Sequence, residues 1–355
     1  MVENAPGAAA PSRRYAILTE GRFKDRNAKT AHGLIAYGRE DAEVVAIIDS
    51  TLAGRRVLDV MPNLRRDAPI VGTLQEALER SPTSVLVGLA PAGGQLPEAW
   101  MGILREAAEA GLEIVSGLHQ RLAPEFLGAR VWDVREPPEG IPLFSGAAFD
   151  VRPKVVLTVG TDTAIGKMTT TLEIERAARG RGLKAEFVPT GQTGILIAGW
   201  GICVDAVVSD FVAGASEQLV LEAARRDPEL ILVEGQGSLG HPAYSGVTMA
   251  LLHGSCPDCL VLCADASDEE VYAGVPRPDV GQIARLYEDV AALVKPARVV
   301  AVSLNTEGLD EGAAEAFVEG VAAITGLPAA DPVRGSADPI LDAILRAPKT
   351  AAIRP

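Results

Sequence analysis

The chain has 355 residues, of which 48% are apolar and 23% charged; 33 Lys+Arg against 47 Asp+Glu give a formal net charge of −14. Length sets a prior of about two domains, and the apolar share excludes a disordered chain. The acidic balance excludes a general nucleic-acid binder and docking to anionic membranes, so an anionic ligand has to be held by a local device.

Residues 1–12 are small and Pro-rich, without the apolar stretch of a secretory signal, and read as a disordered tail. In the first half, Tyr15–Thr19, Val44–Ile48, Ser84–Gly88 and Glu113–Ser116 read as short buried strands. Helices are expected over Ala28–Tyr37, Thr73–Arg80 and Glu98–Ala110. Continuous apolar strands alternating with helices predict an α/β fold whose parallel sheet is covered on both faces. The loops after these strands are glycine-rich (Gly21, Gly54, Gly88–Gly94), and ligands in such sheets sit beyond the strands' carboxyl ends. No G-x-G-x-x-G fingerprint is present.

Periodicity stops around Arg135–Pro142, where three prolines and Gly140 read as a linker. The second half restarts with strands at Lys154–Val159, Ala185–Pro189, Leu230–Val233, Cys259–Cys263 and Arg298–Ser303. Helices are expected over Lys167–Arg179, Glu217–Arg226, Val280–Leu293 and Glu311–Thr325. The resulting division is a domain over 13–136, a linker over 137–152, a second domain over 153–346 and a loose tail over 347–355. No apolar run reaches the ~18 residues of a membrane helix. Four cysteines make no disulfide framework, which points to a reduced, cytoplasmic setting. Cys-x₂-Cys-x₃-Cys at 256–263 matches no strong zinc spacing, and Cys259 and Cys263 read as core thiols of a strand, so no metal site is expected there.

The strongest chemical signal follows the strand at 154–159: Gly160-Thr161-Asp162-Thr163-Ala164-Ile165-Gly166-Lys167-Met168-Thr169. A buried strand, a glycine-bounded loop, Gly-Lys and then a helix form the context a phosphate-binding loop needs. Backbone N–H groups and the helix dipole face the anion, and Lys167 adds a point charge. The loop departs from G-x-x-x-x-G-K-[ST]: Thr161 stands for the first glycine, and Met168 stands where a hydroxyl normally ligates Mg²⁺. A second signal is Leu230-Ile-Leu-Val-Glu234-Gly-Gln-Gly-Ser238, an apolar strand ending in an acid suited to a metal or to general-base work. A third is Thr190-Gly191-Gln192-Thr193-Gly194, read as a loop touching ligand or as a plain turn. Asp210 is a candidate for an ammonium group or a metal, or a helix cap; His241 is a proton carrier or a structural loop residue. Arg22 and Lys29 sit at strand ends of the first half, as site residues or as solvated loop residues.

The phosphate loop and Val233-Glu-Gly-Gln-Gly-Ser238 resemble the paired loops of dethiobiotin synthetase over parts of the second half. A resemblance covering nearly the whole chain is to the DgcN-type family of D-glutamate N-acetyltransferases. It is carried by Ala28-Lys-Thr-Ala-His-Gly33, Gly88–Gly94, Ser116-Gly-Leu-His119, the phosphate loop through Thr170, Thr190–Gly194 and Glu234–Ser238 with His241-Pro242. This resemblance implies a Rossmann-like N-terminal domain, a P-loop C-terminal domain and a homo-oligomer. It also implies transfer of acetyl from acetyl-CoA to the amine of an acidic amino acid such as D-glutamate. On that reading the loop 160–169 anchors CoA, and Glu234 and then His241 are candidates for the base. The loop Gly191–Gly194 supplies oxyanion donors, with Gln192 and Thr193 as substrate-binding residues, and Arg22 or Lys29 holds substrate carboxylates. The alternative is a ligase or kinase using ATP with Mg²⁺, in which Thr169 and Glu234 hold the metal.

Overall fold

The computed structural model describes residues 12–89, 96–266 and 270–353. Expectations for the tail up to residue 11, for residues 90–94 of the glycine loop and for the last two residues lie outside the described residues. Among the described residues no helix is long and apolar enough to cross a membrane.

The first unit is a six-stranded parallel sheet. Its strands are β1 (Arg13–Leu18), β2 (Ala42–Ile48), β3 (Ile70–Val71), β4 (Ser84–Val87), β5 (Glu113–Ser116) and β6 (Val131–Asp133), in the order β3-β2-β1-β4-β5-β6. That is the Rossmann order, whose topological switch point lies between β1 and β4. Helices α1 (Lys29–Tyr37), α2 (Val57–Val60), α3 (Leu74–Leu78) and α4 (Glu98–Glu109) connect the strands. Side chains alternate between two cores. Tyr15 and Ile17 of β1 join Leu34 and Leu86 on one face, while Ala16 and Leu18 join Val85 and Trp100 on the other. Both faces are apolar, which is why the strands read as unbroken apolar runs rather than as alternation.

The second unit holds β7 (Lys154–Gly160), α5 (Lys167–Gly180) and β8 (Ala185–Val188). After Thr190 the chain leaves it: Gly191–Ala206, containing α6 (Gln192–Ala198), belongs to the first unit. There Ile195, Leu196 and Cys203 enter the core that contains Tyr15 and Leu34. The uninterrupted second domain expected over 153–346 is thus broken by a sixteen-residue return, Gly191–Ala206. The chain then resumes the second unit with α7 (Val212–Ala224), β9 (Leu230–Val233), α8 (Ser245–Ser255) and β10 (Cys259–Asp265). A hairpin of β11 (Glu270–Tyr272) and β12 (Val275–Pro276) precedes α9 (Val280–Ala291) and β13 (Arg298–Asn305). The last elements are α10 (Glu311–Thr325), β14 (Ala329–Ala330) and α11 (Asp338–Arg346). The second sheet is also parallel, in the order β14-β13-β10-β7-β9-β8.

The linker is more ordered than its prolines suggest. Buried Glu217 of α7 accepts hydrogen bonds from Ser145 N (2.7 Å), Ser145 Oγ (2.9 Å) and Ala148 N (3.2 Å). The tail expected to be loose from residue 347 is pinned instead. Lys349 Nζ donates to the carbonyls of Val151, Arg152 and Pro153, and Thr350 N donates to Asp258 Oδ1 at 3.1 Å.

Candidate phosphate-binding site

The middle of the second sheet builds the site. β7 pairs with β10 through Gly160 opposite Cys263, and with β9 through Leu157 opposite Val233. The chain therefore leaves β7 at Gly160 between two strand ends that carry acids, Glu234 just after β9 and Asp265 at the end of β10. The loop is shaped by left-handed backbone at Ala164 (φ 54°) and Gly166 (φ 106°), and α5 starts at Lys167. Gly166 is the position where a side chain would strain the entry into the helix.

Lys167 is 6% exposed, and its Nζ donates to Asp162 O at 2.6 Å, folding back over the loop. Burial pulls the ammonium pKa from 10.5 down to about 8, against the opposing pull of Cys263, Asp162, Glu234 and Asp265. Asp162 Oδ1 accepts the Thr163 N–H at 2.6 Å, and Asp162 Oδ2 lies 3.3 Å from Arg277 Nη2. The other end of that guanidinium, Nη1, pairs with Asp265. Thr161 N donates to Cys263 O at 3.0 Å, while the buried Thr161 Oγ1 has no hydrogen-bond partner. An orphaned hydroxyl among backbone N–H groups and two cations is a donor set suited to phosphate oxygens.

A second loop, 234–241, is laced to the first. Gly235 N donates to Thr158 Oγ1 at 2.9 Å, and a Cβ on Gly235 would stand 1.8 Å from Thr158 O. Ser238 Oγ donates to Thr161 O at 3.1 Å. Tyr287 OH of α9 donates to Gly160 O at 2.8 Å and accepts from Leu239 N at 3.1 Å, tying both loops to one buried ring.

Glu234 lies beside Lys167 and is 5% exposed. Its Oε2 accepts the Thr190 N–H at 2.9 Å, and its carbonyl accepts Thr190 Oγ1 at 2.8 Å. His241 is 3% exposed, with Nε2 4.0 Å from Asp162 Oδ1. Its Nδ1 accepts the Ala243 N–H at 3.1 Å, so the neutral ring carries its proton on Nε2. The ring packs on Tyr244 and stacks on Tyr272 of the hairpin, with centroids 4.7 and 5.4 Å away.

The structure therefore gathers the loop, Lys167, Glu234 and His241 in the second unit. Met168 and Thr169 lie half-buried on the first turn of α5. Gln192 and Thr193 belong to the first unit, and the expected loop there is the start of a helix. Gln192 Oε1 accepts from Arg135 Nη1 at 3.1 Å, and Thr193 Oγ1 lies 3.2 Å from Thr30 Oγ1. Also in the first unit, Arg22 pairs with Asp25 at 2.8 Å, and Lys29 is exposed at the start of α1. Asp210 is exposed in a 3₁₀ turn ahead of α7.

The family described as Domain of unknown function (DUF1611_C) P-loop domain matches residues 142–341, and its Rossmann-like counterpart, DUF1611_N, matches residues 50–137. The chain belongs to the DUF1611 family. The crystal structure of a DUF1611 family protein from Anabaena variabilis shares 40% identity and superposes with a TM-score of 0.88. That match covers 94% of this chain and 99% of that one. A protein named D-glutamate N-acetyltransferase from Tritonibacter scottomollicae is 39% identical over 284 residues, 77% of this chain and 84% of that protein. A second protein of that name, from Pseudoalteromonas sp., is 36% identical over 278 residues, 75% of this chain and 82% of its own. The two α/β domains expected from sequence, Rossmann-like and then P-loop, are those of DUF1611.

Three residues of the DUF1611 site escaped the sequence reading: Asp265, Arg277 and Tyr287. Asp265 lies only two residues past the expected strand end at Cys263 and mirrors Glu234 at the neighbouring strand end. Arg277 and Tyr287 carry no local signal, because only the tertiary fold brings them to the loop.

Proposed function

We propose that this protein is an N-acetyltransferase that moves acetyl from acetyl-CoA to the amine of an acidic amino acid, D-glutamate or a close analogue. The observation that carries the reading is the pair of relatives named D-glutamate N-acetyltransferase, each matching at least three quarters of this chain at 36–39% identity. The loop supports it. Its N–H groups, the Thr161 hydroxyl and Lys167 suit the phosphates of CoA, and Met168 stands where an Mg²⁺-ATP loop places its metal-ligating hydroxyl.

Acetyl-CoA supplies the acetyl group. Its phosphates and its thioester lie at opposite ends of a long pantetheine arm, so residues packed on a phosphate cradle stand away from the reacting carbonyl. Glu234 lies beside Lys167 and spends an oxygen on Thr190, so it acts as a positioning residue that ties its own loop to the turn after β8. His241 turns Nε2–H towards Asp162 from 4.0 Å, and its ring is held by Tyr244 and Tyr272. The acceptor's carboxylates call for cations, and Arg22 and Lys29 remain the candidates. Gln192, Thr193 and Asp210 are the candidate polar contacts. A homo-oligomer in the cytoplasm completes the proposal.

The test is turnover of purified protein with acetyl-CoA and D-glutamate in EDTA, following free thiol and the N-acetylated product. Release of thiol dependent on the amino acid supports the reading. ADP release from ATP–Mg²⁺ with no thiol release overturns it in favour of the ligase or kinase.

A further inference from the structure

We propose that Tyr244 and Tyr272 form a platform on which the adenine of a nucleotide-bearing ligand stacks while its phosphates occupy the loop 160–169. The inference rests on the reading that the loop holds a phosphate-bearing ligand, and it supplies the part of that ligand the loop cannot grip. Tyr15 and Tyr287 are fully buried, whereas Tyr244 is 51% and Tyr272 58% exposed. Both pack on one shared partner, the ring of His241, at 4.7 Å and 39° for Tyr244 and at 5.4 Å and 28° for Tyr272. His241 is itself buried, so each tyrosine meets it with part of its ring and leaves the rest to solvent. Exposed aromatic faces grouped in one place mark a binding surface, whereas scattered single ones need no explanation.

The platform stands beside the loop. His241 Nε2 lies 4.0 Å from Asp162 Oδ1, so a single imidazole ring separates both tyrosines from the phosphate loop. In an adenosine nucleotide a single ribose separates phosphate from base, a spacer of comparable size. The base is uncharged, so stacking it gains affinity without adding to the repulsion that a chain of net charge −14 exerts on phosphate. Among the described residues neither phenol hydroxyl makes a hydrogen bond, which leaves the ring face as what each position offers.

Both rings are fixed in advance. Tyr244 directly precedes α8, and its carbonyl accepts Thr248 Oγ1 at 3.1 Å. It also crowds Gly237 of the second loop, where a Cβ would stand 2.4 Å from Tyr244 O. Tyr272 lies opposite Val275 across the hairpin, with Ala273 (φ 52°) and Gly274 (φ 78°) as the two turn residues. Left-handed backbone at both positions is the tight turn that matches strand twist. An alanine takes that conformation only against a local cost, so the surrounding contacts set the hairpin's shape.

Calorimetric titration of the full chain with CoA, with ATP–Mg²⁺ and with inorganic pyrophosphate, which has no base, tests the assignment. Tyr272→Ala and Tyr244→Ala are each expected to weaken the adenosine ligand by about fivefold to a hundredfold. Pyrophosphate should bind both variants within twofold of wild type. Tyr272→Phe and Tyr244→Phe should keep wild-type affinity, because the face is retained; a phenylalanine variant as weak as its alanine counterpart would overturn the stacking. The proposal is also overturned if either alanine variant binds the adenosine ligands within twofold of wild type. It is equally overturned if pyrophosphate affinity falls as far as that of the adenosine ligand, since the rings would then only be shaping the loop. Sedimentation of each variant covers the other occupant: subunit dissociation with unchanged affinity would make the patch a contact between copies and sink the platform. A wild type that binds pyrophosphate but neither adenosine ligand would sink the platform and leave the phosphate loop standing. ATP binding that depends on the tyrosines, without CoA binding, would uphold the platform and sink the acetyl-CoA reading. Binding of no probe by wild type would sink both.

Discussion

Replacing Lys167 by Met removes an ammonium that folding drags out of water. Its pKa of about 8, against 10.5 when exposed, means the charged form is penalised by on the order of 3 kcal/mol in the folded chain. Losing the 2.6 Å bond to Asp162 O gives back about 1 kcal/mol. Lys167→Met should therefore stabilise the unliganded protein by about 2 kcal/mol at pH 7, raising Tm by roughly 4–8 °C. The unfolded chain keeps this proton to about pH 10.5 and the folded chain sheds it near pH 8. The unfolded state thus binds more protons between these values, and wild-type stability rises with pH across that window. The advantage of the variant should be full below pH 8 and shrink towards pH 10. Affinity for CoA should fall by about tenfold to a hundredfold, because a charge-assisted bond is lost. Thermal melts at pH 7 and 9.5, with calorimetry at pH 7, read both effects. A variant less stable than wild type at pH 7 would refute the burial argument, and unchanged CoA affinity would remove Lys167 from the cradle.

Glu234→Gln separates anchoring from base catalysis. As the anchor of Thr190 it should cost about 1.5–3 kcal/mol in urea unfolding and less than tenfold in kcat, whereas a loss of about 10²–10⁴ in kcat would mark it as the base. Gly235→Ala forces a methyl to 1.8 Å from Thr158 O, so backbone has to shift and at least about 3 kcal/mol should be lost; a Tm equal to wild type would contradict the close approach. Glu217→Ala strands three donors of the 145–148 segment and should lower urea stability by at least about 3 kcal/mol, with faster proteolysis near Ser145 as a second readout.

Nine strands were legible because each is a short apolar run, and Leu230–Val233 and Glu113–Ser116 fall where the sequence puts them; the short β3, β6 and β14 and the hairpin β11–β12 were not. The phosphate loop was legible because its chemistry is local: strand, glycines, lysine and helix lie within one stretch. Elements decided by packing were not. The start of α6 reads as a turn, since Gly191, Thr193 and Gly194 are poor helix formers, yet Ile195 and Leu196 make it a helix by entering the first core. Helix α7 begins at Val212 rather than Glu217, through small residues whose backbone meets its neighbours directly; a Cβ on Gly214 would fall 1.8 Å from Pro142 O. Helix α8 is nearly apolar all round, with Gly254 against Ala213 O, and has no amphipathic period to read.

The return of Gly191–Ala206 to the first unit sets an order on synthesis. A chain that has emerged only as far as Pro138 has all six strands of its first sheet but lacks Ile195, Leu196 and Cys203 from the core behind Tyr15 and Leu34. N-terminal domains ordinarily fold first as they leave the ribosome. Here the N-terminal unit has to wait with an incomplete apolar face until β7, α5 and β8 have also been made. A protein truncated after the linker should accordingly expose that face and associate, while one carried through Ala206 brings the missing side chains with it. The boundary that looks natural in the sequence is therefore not the one at which the chain can finish its first fold.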